Sequence, residues 1–144
     1  MREKSIYQRA REVAGMTQER AAEYLNIATE TIASYEQGRR KIPDDIVVEM
    51  ADLYQCPILC HKHLRLKATA RNLPDVDVKS LSQAVIMLLK NMDDLDSNRN
   101  LLLQIAYDNR VDEQEIDDWE FILSQINELQ KACFTVQYCK GEGC

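Results

Sequence analysis

Cys56, Cys60, His61 and His63 lie within eight positions, and thiolate sulfur and imidazole nitrogen are the usual donors to zinc. Their spacing argues otherwise. No second ligand cluster follows at finger spacing, and Cys60 and His63 fit the inward face of a short helix, where cysteine is commonly buried without any ligand role. Asp108 to Glu120 has the acidic look of a calcium loop, but Arg110 stands at a ligand position and Glu113 replaces the required glycine. Neither metal is expected. No nucleophile with a neighbouring base, phosphate-cradling loop or paired-carboxylate motif is present, so the chain is not expected to be an enzyme or to need a cofactor. What remains is polar and basic: the stretch TETIAS at 29–34, followed by the run Arg39-Arg40-Lys41.

Charge is unevenly distributed. The whole chain carries −6, which speaks against a nucleic-acid partner. Residues 1–71, however, hold 12 Lys and Arg against 10 Asp and Glu, a net of +2, while residues 72–144 hold 6 against 14, a net of −8. Phosphate binding depends on the field facing the duplex, not on the sum over the chain, so two halves with two jobs are suggested.

With 144 residues the chain can build a hydrophobic core without disulfide staples. Four glycines and three prolines leave little room for long loops, and the abundance of Ala, Leu, Glu, Gln and Arg favours helix. The N-terminal segment is charged and periodic, unlike a signal peptide, and no apolar run approaches the roughly 20 residues that span a bilayer. A cytoplasmic protein is expected. Its five cysteines, odd in number, are then expected to be free thiols.

The first half reads as five helices. Ser5 to Ala14 has Ile6, Ala10, Val13 and Ala14 on one face and ends at Gly15. Thr17 is a cap for QERAAEYL, whose inward positions are Ala21, Ala22 and Leu25, and Asn26 suits a left-handed turn. A third helix opens at Ala28 or Thr29 with Ile32 and Tyr35 inward, and Gly38 closes it. Pro43-Asp44-Asp45 starts a fourth, where early acids favour the helix dipole and Ile46, Val47, Met50 and Leu53 face inward. A short helix, ILCHKHL, completes the set.

Two long helical patterns occupy the second half. One places Leu81, Val85, Leu88, Met92, Leu95, Leu102 and Ala106 on a heptad-like seam broken by Arg99; the other places Ile116, Trp119, Leu123, Ile126, Leu129, Cys133 and Val136. They predict an antiparallel hairpin. Packing those seams together leaves Ile86, Leu89, Leu101, Leu103, Phe121, Ile122 and Phe134 without cover, so a homodimer is expected through residues such as Leu89, Phe121 and Ile122, the alternative being a hairpin that folds back onto the N-terminal domain and covers them within one chain. The expected organisation is a domain at 1–66, a linker at 67–80, a helical hairpin at 81–138 serving dimerisation, and a disordered tail at 139–144.

The segment TQERAAEYLNIATETIASYEQGRR resembles the phage-repressor, Cro-like (XRE-type) helix-turn-helix family. Gln18 opens the second helix, small Ala22 lets two helices approach, and Leu25, Ile27, Ile32 and Tyr35 fill the crevice between them. YEQGRRKIP then matches the family's exit from the third helix, and asparagine at 26 replaces the glycine common at the turn. The resemblance spans about Ile6 to Leu64. It implies an all-α fold, a five-helix lambda-repressor-like DNA-binding domain followed by the hairpin.

It also implies a function. The third helix would enter the major groove with Thr29, Glu30, Thr31 and Ser34 outward, Glu30 accepting from a cytosine amino group and the threonines meeting thymine methyls or bases. Gln18 would contact the DNA backbone, Arg39, Arg40 and Lys41 would neutralise phosphates, and Arg11 and Glu36 match positions that form an ion pair between the first and third helices. The expected protein is a transcriptional regulator that binds a two-fold operator in double-stranded DNA as a homodimer. Repression by occlusion, and a mobile-element setting, follow from the same resemblance. The alternatives are an adaptor that uses its helices to bind protein instead of DNA, and a thiol- or metal-responsive regulator.

Overall fold

A computed structural model describes residues 3–139. Among them are eight α-helices and no strand: α1 (Ile6–Val13), α2 (Gln18–Tyr24), α3 (Thr29–Glu36), α4 (Asp44–Leu53), α5 (Ile58–Arg65), α6 (Leu81–Asp96), α7 (Arg99–Ile105) and α8 (Ile116–Tyr138). The chain divides into one unit running to Leu73 and a second beginning at Pro74. Of the tail expected at 139–144, Cys139 caps α8, and the remainder lies outside the described residues. No helix among the described residues is long and apolar enough to cross a membrane.

In the first unit each of α1 to α4 stops in the same way. A left-handed residue follows the cap, at Gly15 (φ 68°), Asn26 (φ 51°), Gly38 (φ 69°) and Gln55 (φ 56°). The amide after it then reaches back five residues: Met16 to the Arg11 carbonyl at 3.1 Å, Ile27 to Ala22 at 3.0 Å, Arg39 to Ser34 at 2.9 Å and Cys56 to Ala51 at 2.8 Å. These bonds satisfy carbonyls that the helix leaves open and reverse the chain within two residues. At the other ends, the Ser5 hydroxyl accepts from the Gln8 amide and the Thr17 hydroxyl from the Arg20 amide, both at 3.2 Å.

The core of this unit is Ala21, Ala22, Ile32, Val47, Met50, Ile58 and Leu59, each no more than 2% exposed. The absence of side-chain bulk at Ala21 and Ala22 lets α2 and α3 pack closely, and α5 closes the unit against α1 and α4. The face of α1 differs from the expected one. Tyr7, Ala10 and Arg11 are buried and Val13 is 55% exposed, because a phenol and a guanidinium with internal partners occupy the inward side.

The second unit departs more from the sequence reading. Ser97 and Asn98 end α6, so the first long pattern is two helices instead of one. The Asn98 side chain bonds the Asp94 carbonyl at 3.0 Å and the Gln125 side chain of α8 at 2.9 Å. The packed face is rotated as well. Ala84, Ile105, Ile122, Ala132 and Thr135 are buried, whereas the expected seam residues Leu81, Val85, Met92, Ile116, Leu123 and Ile126 are exposed. Helices approach closest where side chains are small, so Ala84, Ala132 and Thr135 take the contact that the leucines were expected to fill. The Thr135 hydroxyl is satisfied by the Lys131 carbonyl of its own helix at 2.8 Å. Ile122 is therefore a correction: at 0% exposure it belongs to the interior and cannot line an uncovered surface, unlike Leu89 at 54% and Phe121 at 50%.

Candidate nucleic-acid interface

Helix α3 is held by its inner face and open on its outer one. Ile32 and Tyr35 are buried, Glu30 is exposed, and Thr29, Thr31 and Ser34 are half-buried on the outer side. Ala28 precedes the helix without a side-chain cap, and Glu30 is the acidic residue of its first turn. Ala33, half-buried between Ile32 and Ser34, was not singled out from the sequence and adds a small apolar surface to this face.

Glu36, the last residue of α3, anchors the helix. Its Oε1 accepts from Arg11 Nε at 2.5 Å, and its Oε2 accepts from Arg11 Nη2 at 2.9 Å and from Gln18 Nε2 at 2.8 Å. Arg11 Nη1 donates to the Met16 carbonyl at 2.7 Å. The side chains of the pair are 8% and 3% exposed. One carboxylate thus joins α1, the turn after it, α2 and α3. Hydrogen bonding to Glu36 raises the Arg11 pKa further, ahead of the opposing effect of burial. Burial, and next the Glu36 charge, push the nearby Tyr54 phenol up to about 12.

This arrangement bears on Gln18. Of its two amide hydrogens one is used on Glu36, which leaves a single donor for any outside acceptor. Beyond the Gly38 turn, Arg39, Arg40 and Lys41 are all exposed. The Arg40 guanidinium lies over the buried Tyr35 ring, 5.9 Å from its centroid, which restricts an otherwise flexible cation. Arg20 stands over the Tyr24 ring at the same distance on the open face of α2. Sequence reasoning missed this second staged arginine, although its four-residue spacing from an aromatic on one helix was a readable signal.

A further polar chain was not legible. Tyr7 Oη and His63 Nδ1 are 2.7 Å apart, His63 Nε2 and Asp44 Oδ1 3.0 Å, and Lys67 Nζ donates to Asp44 Oδ2 at 2.7 Å. It joins α1, the start of α4 and the end of α5. The hydrogen bond from Lys67, followed by that from His63, holds the Asp44 carboxyl below its ordinary pKa. Among the described residues no three of His, Cys, Asp and Glu gather so as to hold a metal ion. His61, not His63, is the buried histidine of α5. Cys60, Cys133 and Cys139 are free thiols, but Cys56 is disulfide-bonded, so the expectation of five free thiols does not hold there.

Residues 8–59 match the protein family described as Helix-turn-helix, a span from α1 into α5 that contains α2, the Asn26 turn and α3. No curated protein matches the chain, and no solved structure does.

Proposed function

Starting from residues 8–59 as a helix-turn-helix domain of the XRE type, we propose that the chain is a sequence-specific regulator that binds duplex DNA as a homodimer and represses by occlusion. The observation that carries this reading is the geometry of α3: an open polar face, an anchored inner face, and staged cations at its exit. Glu30, Thr29, Thr31 and Ser34 read base edges, with Glu30 accepting from cytosine. Arg39, Arg40 and Lys41 take phosphates and set register, and Gln18 adds one donor at the start of α2. The Arg11–Glu36 pair fixes the angle at which α3 is presented.

The second unit supplies the second copy. Leu81, Val85, Leu89 and Met92 recur every three or four residues on the open side of α6, and all are 37–57% exposed. Ile116, Leu123 and Ile126, seven and three residues apart, are exposed on α8 to a similar degree, and Phe121 is exposed on another side of the same helix. Helices with one packed stripe and one open apolar stripe are suited to a four-helix arrangement with an identical partner. A two-fold dimer then matches two half-sites one helical turn apart.

Selection of bound sequences from a random duplex pool by the full chain tests the reading. A recovered motif with inverted repeats is expected, and Glu30→Ala should alter preference at one position by about 1–3 kcal/mol. Arg40→Ala should weaken all duplexes alike. Recovery of no motif, with no duplex bound even at low salt, would overturn it.

A further inference from the structure

A cavity of about 710 Å³ opens beside the exit of α3, within the range of roughly 300–1,000 Å³ common to small-molecule sites. Three features of it point to one class of ligand. Its floor is apolar, made of Tyr7, Tyr35, Ile42 and the exposed side chain of Leu66. One wall is the hydrogen-bonded chain of Tyr7, His63, Asp44 and Lys67, in which the charges of Asp44 and Lys67 compensate one another and the side chains come from α1, α5, α4 and the turn after α5. The remaining wall is Arg40 and Lys41, neither of which faces a carboxylate in the described ion pairs.

We propose that this cavity binds a small organic anion, a carboxylate or phosphate ester on a flat apolar body, and that the bound anion removes Arg40 and Lys41 from DNA phosphates. The charged end of the ligand meets the two cations, and its body covers the apolar floor that an inorganic anion would leave wet. A duplex and such a ligand draw on the same two side chains, so each lowers the affinity of the other by linkage. The inference rests on the reading of Arg40 and Lys41 as phosphate contacts. It adds a regulatory input that this reading does not require.

The test uses the full chain, with naphthyl phosphate as probe and inorganic phosphate and naphthol as controls. Amide chemical shifts locate binding, and anisotropy of a labelled duplex at constant ionic strength follows DNA. Naphthyl phosphate should shift amides in 35–42 and 63–67, with inorganic phosphate weaker by roughly ten-fold, the worth of burying about 50 Å² of apolar surface. Lys41→Gln should weaken the probe, and so should Leu66→Ser, a change at a site 68% exposed that leaves the core intact. Saturating probe should release the duplex from the wild-type chain. Equal binding of inorganic phosphate, shifts confined to other regions, or unchanged duplex affinity at saturation each overturn the inference. A chain that binds no duplex before any probe is added instead overturns the proposed function, and the competition with it.

Discussion

Replacing Glu36 by glutamine should destabilise the first unit far more than any surface charge does. The wild-type carboxylate accepts three hydrogen bonds, two from Arg11 and one from Gln18, in a setting where both members of the pair are almost fully covered. Glutamine keeps one acceptor oxygen and presents an amide to donors, so at least one bond is lost and a buried guanidinium stays charged without its partner. Breaking such a pair from one side costs about 3–5 kcal/mol. Arg11 retains its bond to the Met16 carbonyl, which places the expected loss near the lower end, about 3 kcal/mol. Glu23→Gln, on the exposed side of α2, should stay within about 0.5 kcal/mol. Urea unfolding of both variants, followed by far-ultraviolet circular dichroism, gives the comparison. A double substitution, Arg11→Met with Glu36→Leu, separates the pair from its surroundings, because exchanging both charges for apolar groups should recover most of the loss. Glu36→Gln as stable as Glu23→Gln would refute the reasoning, since the carboxylate would then contribute nothing that an amide cannot.

Other outcomes follow from the same geometry. The Tyr54 phenol is raised to about 12 when folded, against 10 unfolded, so the folded state holds its proton more tightly. Its contribution is complete below pH 10 and is lost as pH rises from 10 towards 12, about 3 kcal/mol at most, and Tyr54→Phe should flatten that fall in alkaline denaturation curves. Gln55→Gly should stabilise by about 0.5 kcal/mol, the relief of a left-handed residue partly offset by a more flexible unfolded chain, and a midpoint below wild type would contradict this. Ile122→Asp should unfold the second unit, seen as loss of structured Trp119 fluorescence, whereas Leu89→Asp and Phe121→Asp should leave that signal and shift sedimentation from dimer to monomer. Sedimentation of the wild-type chain as a monomer at high micromolar concentration would remove the dimer.

The first unit was largely legible because its information is local. Ser5 and Thr17 cap helices by reaching three residues ahead, and Gly15, Asn26 and Gly38 mark stops that need no knowledge of distant partners. The turn at Gln55 escaped notice, since glutamine gives no local signal for a left-handed conformation. The chain from Tyr7 through His63 to Asp44 was illegible for a different reason: those residues lie up to 56 positions apart, and only the packing of α1 on α5 brings them together. In the second unit the heptad period was read and its destination was not. Leu81, Val85 and Met92 do form a stripe on α6, yet the intrachain contact belongs to Ala84 and its small counterparts. Period tells which residues share a face; it does not tell whether that face meets the same chain or another copy.

The four left-handed exits have a kinetic consequence. Each reverses the chain through bonds spanning five residues, so the path from α1 to α5 is specified before distant residues meet. Much of the packing then joins neighbours in sequence, α2 with α3 and α4 with α5, and only small loops have to close. Helical domains of this low contact order cross their barrier in microseconds to milliseconds. The longest loop to close in this unit is the one that docks α5 onto α1, and the same contact assembles the hydrogen-bonded chain from Tyr7 through His63 to Asp44. Loss of α5 docking would therefore break that chain while leaving the local turns that connect α1 to α4 intact.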